Sequence, residues 1–277
     1  MLFLSDLDFT LLKSDTTLGK YSIEVWNRAV KNHKLSIATA RSLTGVKELL
    51  KDLQLKEPLI LLDGVMIAKI DGEILHLSSI DKELGSEILH TAKNSLNLEP
   101  LIVALEEGVE HFLYPKDLNI YQQELIKTMK LRNRVIQDKL KAKEHNLKIV
   151  FQANKETANE LTNILNQTFG SNIEIKKSKD PYIDCYFITI LNPKGDKAHA
   201  LKKLEEIEEI SFKNTAVFGD SYNDIGMFNV ASDKIAVANA IDELKEIATE
   251  VLQHTNDQEG VARYLNKRLN IGVDFGW

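Results

Sequence analysis

The sequence has a single cysteine, Cys185, so no internal disulfide can form. It has no apolar run near the roughly 18 residues that a membrane-spanning helix needs, which excludes that class of membrane protein. It has no basic segment followed by an apolar one at its start, so no secretory signal is expected, and with it a cytoplasmic location. Positive charge is also short. A net charge of −6 and a pI of about 5.7 argue against nucleic acid as a partner. The basic stretch KTMKLRNR has too few aromatic neighbours to change that, and suits an anionic small molecule better. The seven histidines are scattered, with no H-E-x-x-H and no zinc-ligand spacing. No internal repeat or low-complexity linker is present. Cys185 lies in the apolar run YIDCYFITI and reads as a buried structural thiol rather than a nucleophile.

What is present is an ordinary globular composition. The chain has 277 residues, 43% hydrophobic and 27% charged, enough for one large domain or two modest ones. It opens with alternating strand and helix patterns. LFLS, LSIATA and PLILL are continuous apolar runs, separated by SIEVWNRAVKNH and SLTGVKELLKDL, which have helical spacing. In the first helix Ile23, Trp26 and Val30 share a face and Ser22 is the expected N-cap. Continuous apolar strands between amphipathic helices predict a parallel sheet covered on both faces. From MIAKIDGEILHL, a hairpin turning at Asp71-Gly72, the rhythm changes to paired strands and separate helices. One of those helices is predicted over the whole of NIYQQELIKTMKLRNRVIQDKL. From Gly195 the first rhythm returns. The fold class is therefore α/β: a Rossmann-like parallel-sheet core over 1–78 and 191–277, split by an inserted α+β domain over 79–190.

Ligands in open parallel sheets bind beyond the carboxyl ends of the strands. The first strand ends in Asp6-Leu7-Asp8, the second in Thr39-Ala40-Arg41 and the third in Asp63-Gly64. A late strand, AVFGD, ends in Asp220, followed by Asn223 and Asp224, and Lys197 opens the helix after the insertion. Acids outnumber bases in that set, and a hard divalent cation is the natural compensation. Mg²⁺ takes oxygen ligands, usually one or two carboxylates, with water or phosphate in its other positions. Asp6 and Asp220 supply carboxylates, while Lys197, Thr39 and backbone N–H groups supply donors for a phosphate. Asp6 is then placed to attack phosphorus and Asp8 to protonate the leaving oxygen.

At this point DLDFT resembles the DxDxT signature of the haloacid dehalogenase-like phosphohydrolases. Thr39, Lys197 and GDSYND resemble its second, third and fourth motifs, in order. The spacing of the last, with AVANA and DQEGVARYL, resembles the Cof-like branch, whose large α+β cap lies between the second and third motifs (subfamily IIB). The resemblance covers both core segments, and covers the cap only by position and general pattern. It implies a Mg²⁺-dependent phosphatase acting on a small phosphorylated metabolite, with the cap selecting the substrate. It implies that Asp6 is the nucleophile and Asp8 the general acid/base. The metal would lie on the Asp6 carboxylate, the Asp8 backbone carbonyl and Asp220, and the phosphate on Thr39, Lys197, Asn223 and the N–H groups near Leu7 and Ala40. Asp224 would orient Lys197 or a metal-bound water.

Four positions depart from the family pattern. Phe9 and Ala40 stand where glycine is usual, Asp63 where asparagine is, and VANA replaces Met-Gly-Asn-Ala with Asn239 kept. Phe9 is expected to alter the loop or narrow the site. Asp63 adds a negative charge that tells against a phosphate-binding role there. Arg41 is read as a helix-start residue or salt-bridge partner and is left out of the site. A phosphomutase and a noncatalytic phospho-ligand sensor remain as alternatives. Neither the substrate nor the oligomeric state is legible.

Overall fold

The computed structural model of the chain describes residues 1–128, 134–180, 183–209 and 214–274. Its elements run β1 (Leu2–Asp6), α1 (Lys20–Ala29), β2 (Lys34–Ala38), α2 (Leu43–Lys47), β3 (Leu59–Leu61), β4 (Met66–Ala68) and β5 (Ile74–Leu77). They continue with α3 (Lys82–Leu96), β6 (Leu101–Glu106), β7 (Val109–Pro115), α4 (Ile120–Thr128), β8 (Arg134–Gln137), β9 (His145–Ala153), α5 (Lys155–Phe169), β10 (Glu174–Lys179) and β11 (Tyr186–Leu191). The last are α6 (Lys197–Ile207), β12 (Thr215–Gly219), α7 (Ile225–Val230), β13 (Asp233–Ala236), α8 (Asp242–Ile247), β14 (Glu250–Val251) and α9 (Gly260–Arg268). The chain divides into two compact units, Met1–Leu77 with Lys194–Trp277, and Ser78–Pro193. Among the described residues no helix is long and apolar enough to cross a membrane.

The first unit is built on an eight-stranded sheet of order β14-β13-β12-β1-β2-β3-β4-β5. Pairing is parallel from β14 to β3 and antiparallel through the β3-β4-β5 edge. All five residues of β1 are buried, as a strand with both faces covered must be. β1 pairs with β2 on one side and β12 on the other, so the strand order runs outward from it in opposite directions. That reversal opens a crevice at the carboxyl end of β1, where Asp6 stands.

Local departures from the sequence reading have physical causes. Ser22 does not cap α1, whose N-cap is Gly19. Instead Glu259, 237 positions away, accepts bonds from the Ser22 N–H at 2.7 Å and its hydroxyl at 2.9 Å. A carboxylate at a helix start satisfies free N–H groups and meets the positive end of the dipole. The buried stripe of α1 is Ser22, Val25, Trp26 and Ala29, with Ile23 only half-buried. The second helix is one short turn, Leu43–Lys47, rather than the whole of SLTGVKELLKDL. The hairpin at Asp71-Gly72 forms, with Gly72 at φ 115 and the Lys69 N–H bonded to the Glu73 carbonyl at 2.8 Å.

The second unit holds a six-stranded sheet of order β10-β11-β9-β6-β7-β8. It is antiparallel except for the β7–β8 pair. One face carries α3 and α5, where Ile88, Ala92, Leu161 and Leu165 pack with Ile102, Ile149, Phe151 and Ile188. Both helices are capped by their own side chains, Asp81 to the Leu84 N–H and Asn154 to the Thr157 N–H. Of the long helix predicted from Asn119, α4 covers Ile120–Thr128, while Arg134–Gln137 is the strand β8 rather than helix. Its predicted course through 129–133, with most of KTMKLRNR, lies outside the described residues. Cys185 is buried as expected, and burial pushes its thiol pKa up, away from nucleophile chemistry.

Candidate active site

Every site residue predicted from the sequence falls in the first unit. Asp6 is the last residue of β1, Thr39 follows β2, Asp63 follows β3, and Asp220 follows β12. Lys197 is the first residue of α6, whose N-cap Asp196 accepts from the Ala198 and His199 N–H groups. Gly64 makes this possible. At φ +114, a Cβ there would lie 2.2 Å from the Asp196 carbonyl carbon, so only glycine lets the β3 turn approach the start of α6.

The centre is a buried ionic cluster. Lys197 is 1% exposed, and its Nζ donates to Asp6 Oδ1 at 2.5 Å and to Asp224 Oδ1 at 2.6 Å. Asp224, 0% exposed, uses its other oxygen to accept the backbone N–H groups of Asp220 at 3.0 Å and Ser221 at 3.2 Å. Gly219 leaves room for it, since a Cβ there would sit 2.7 Å from the Asp224 carboxylate. Asp224 is therefore saturated: it holds the ammonium with one oxygen and the Asp220 loop with the other.

Asp6, Asp220 and Asp224 place carboxylate oxygens within 4.8 Å of one another. Three carboxylates share one ammonium, which leaves a surplus of negative charge. Burial and the neighbouring acids therefore raise the Asp6 pKa well above the carboxylate range. Burial, then Asp224, pushes Asp220 up to about 6. Burial alone would lower the Lys197 pKa, but Asp6 and Asp224 hold it above its ordinary value, so it stays charged. A surplus of hard oxygen charge at strand ends fits a divalent cation.

Around this centre Asp8 is partly exposed and gripped by Arg41, with Nε to Oδ2 at 2.9 Å and an Nη to Oδ1 at 2.6 Å. Such a two-pronged pair fixes the plane of the carboxylate. Thr39 is buried, and its hydroxyl oxygen accepts the Arg41 N–H at 3.1 Å. Leu7 is buried and Ala40 exposed on the same two loops. Asn223 donates to Asp63 Oδ1 at 3.2 Å, so the extra carboxylate at 63 engages a residue expected to bind phosphate.

Three participants were given no place in the site by the sequence. Thr10, 1% exposed, donates to Asp220 Oδ1 at 3.0 Å, and its place in DxDxT was the available signal. Arg41 reaches Asp8 through a side-chain contact across 33 positions, of the salt-bridge kind the sequence allowed. Asn239 donates to the Phe9 carbonyl at 2.8 Å and accepts the Asn256 N–H at 2.9 Å. That hold matters because Phe9 sits at φ 59, the left-handed region that glycine enters freely. The substitution keeps the glycine-like turn, and the ring is 51% exposed.

The haloacid dehalogenase-like hydrolase family matches residues 3–265 of the chain. The chain is 29% identical over 285 residues to a 5-amino-6-(5-phospho-D-ribitylamino)uracil phosphatase of Bacillus subtilis, with 96% of each chain covered. A second Bacillus subtilis phosphatase of that name is 23% identical, again over 96% of each. In fold, a crystal structure from Thermotoga maritima matches with a TM-score of 0.81 at 22% identity, over 96% of each chain.

Proposed function

The chain belongs to the haloacid dehalogenase-like hydrolases and is a phosphatase, and we propose that it hydrolyses a small phosphomonoester through an aspartyl-phosphate on Asp6. The observation that carries this reading is the buried Lys197 bridging Asp6 and Asp224 beside Asp220. A structural ion pair needs two partners. This one gathers three acids around one base at the switch point of a parallel sheet.

In the proposed sequence an Asp6 carboxylate oxygen attacks phosphorus in line, and the bond to the leaving oxygen breaks. Asp8 gives its proton to that oxygen, so the product leaves as an alcohol. Asp8, now a carboxylate, takes a proton from water as the water attacks phosphorus. Phosphate departs and Asp6 is regenerated. Arg41 grips both Asp8 oxygens, so it fixes the carboxylate but must release one oxygen before that oxygen can carry a proton. Lys197 offsets charge on Asp6 and, with Thr39, Asn223 and the loop N–H groups near Leu7 and Ala40, holds the phosphoryl oxygens. Asp6, Asp220 and the Asp8 backbone carbonyl would hold Mg²⁺, which supplies positive charge against the phosphoryl oxygens. Asp224 positions Lys197 and the Asp220 loop. The insertion would select the substrate.

The test is phosphate release from a panel of phosphorylated metabolites, with Mg²⁺, with chelator, and with Asp6→Asn. The compound named for the Bacillus subtilis relative belongs first in that panel. Release that needs the metal and disappears in the variant supports the reading. Isomerised product without phosphate points to a phosphomutase. Tight binding without turnover points to a sensor.

A further inference from the structure

The inserted unit carries a second polar feature, and it is the opposite of the first. Gln152, on β9, is 1% exposed, and among the described residues neither its Oε1 nor its Nε2 has a hydrogen-bond partner. Strand alternation puts Ile149 and Phe151 into the core under α3 and α5, so Val150 and Gln152 face the other side of the sheet. On that side lies a cavity of about 200 Å³ whose lining includes Leu101, Val103, Phe112, Tyr114, Phe187 and Gln152, with Leu125 of α4.

Neighbouring amides show that the gap is specific. Asn119 donates to the Gln152 backbone carbonyl at 3.1 Å and its own amide oxygen accepts the Gln122 backbone N–H at 2.9 Å. Gln122 donates to the Glu99 carbonyl at 2.8 Å and accepts the Asn119 N–H at 3.1 Å. In the same unit the Gln152 side chain has no bond among the described residues. A buried amide left unpaired costs stability, and an apolar residue of the same shape would avoid the cost.

We propose that this cavity is a binding site for a small, uncharged, planar ring with a lactam or imide edge, which the Gln152 amide pairs after turning toward it. An amide offers one acceptor and two donors side by side, and a ring N–H beside a ring C=O is its complement. Among the described residues no lining side chain is charged, so an uncharged ring suits the lining. Phe112, Tyr114 and Phe187 provide aromatic surface for a flat ring. Burial pushes the Tyr114 phenol up to about 12, so it too stays neutral. The volume suffices for one substituted ring, since an apolar cavity of about 150 Å³ holds benzene. The same ring chemistry could be borne by the substrate of the phosphatase reaction, which rests on the reading above, or by a separate effector.

The test is calorimetric titration of the full chain with uracil and with 1,3-dimethyluracil, which keeps the shape but has no N–H. Wild type, Gln152→Leu and Val150→Phe are compared. The leucine variant removes the amide, and the phenylalanine variant keeps it and fills the cavity. Uracil is expected to bind wild type at least about tenfold more tightly than its dimethyl form, with comparable loss in both variants. Equal binding of the two compounds, unchanged binding in Gln152→Leu, or no saturable binding to wild type overturns the proposal. Binding needs no turnover, so it stands or falls apart from the phosphatase chemistry. Uracil that raises the KM for phosphate release assigns the ring to the substrate, and uracil that changes kcat assigns it to an effector.

Discussion

Lys197 and Gln152 are both 1% exposed, and they are handled in opposite ways. In the first unit the ammonium has two carboxylates within 2.6 Å, and Asp224 is in turn fixed by two backbone N–H groups. In the inserted unit the amide has no partner among the described residues. The first arrangement is rigid in advance, which suits a site where charge must be stabilised without reorganisation. The second stores an unmet hydrogen-bonding demand, which a ligand of the right edge can meet. Buried polarity thus separates an ionic cluster whose partners are all in place from an amide that, among the described residues, still lacks them.

The largest effect is expected at Lys197. Lys197→Met leaves Asp6 and Asp224 buried without their cation, and a loss of about 3–5 kcal/mol is expected in metal-free urea unfolding. A loss under about 1 kcal/mol would mean that the cluster is not held as described. Next comes pH. The folded-state pKa of Asp220 is raised to about 6 from 3.8, so the folded metal-free protein binds more protons than the unfolded chain across that window. Its contribution to stability is present below 3.8 and lost as pH rises through about 6. Mg²⁺ held there as proposed would compete with that proton, so the gain in Tm on adding Mg²⁺ should grow as pH rises through about 6. A gain independent of pH from 4.5 to 7.5 would place the cation elsewhere.

Gln152→Leu sharpens the contrast from the other side. Removing an orphan amide should leave stability unchanged or raise it by about 1–2 kcal/mol, where Lys197→Met lowers it. A marked loss would show that Gln152 has a partner in solution. The smallest effect is expected at Phe9. Phe9→Gly relieves a left-handed backbone but loosens the unfolded chain, so the two effects oppose and the net change should stay below about 1 kcal/mol. A larger change would show that the exposed ring packs against something.

The parallel sheet and its acidic edge were legible because apolar runs mark buried strands, and residues just past such runs share one edge. Asp6, Asp8, Lys197 and Asp220 could be placed on that ground. The grip of Arg41 on Asp8 and of Asn239 on the Phe9 turn could not, since both join loops distant in sequence. Ser22 misled for the same reason: a local cap was expected where a carboxylate 237 positions away does the work. Gln152 was invisible for a different reason. Alternation along β9 assigns its face, but no pattern tells whether a buried amide finds partners.

The most direct measurement is the mass of the protein quenched in acid milliseconds after mixing with a turned-over substrate and Mg²⁺. The account predicts one added phosphoryl group, mapped to the peptide containing Asp6 and absent from Asp6→Asn. Phosphate release with no phosphoryl group on Asp6, or turnover by Asp6→Asn, would contradict it.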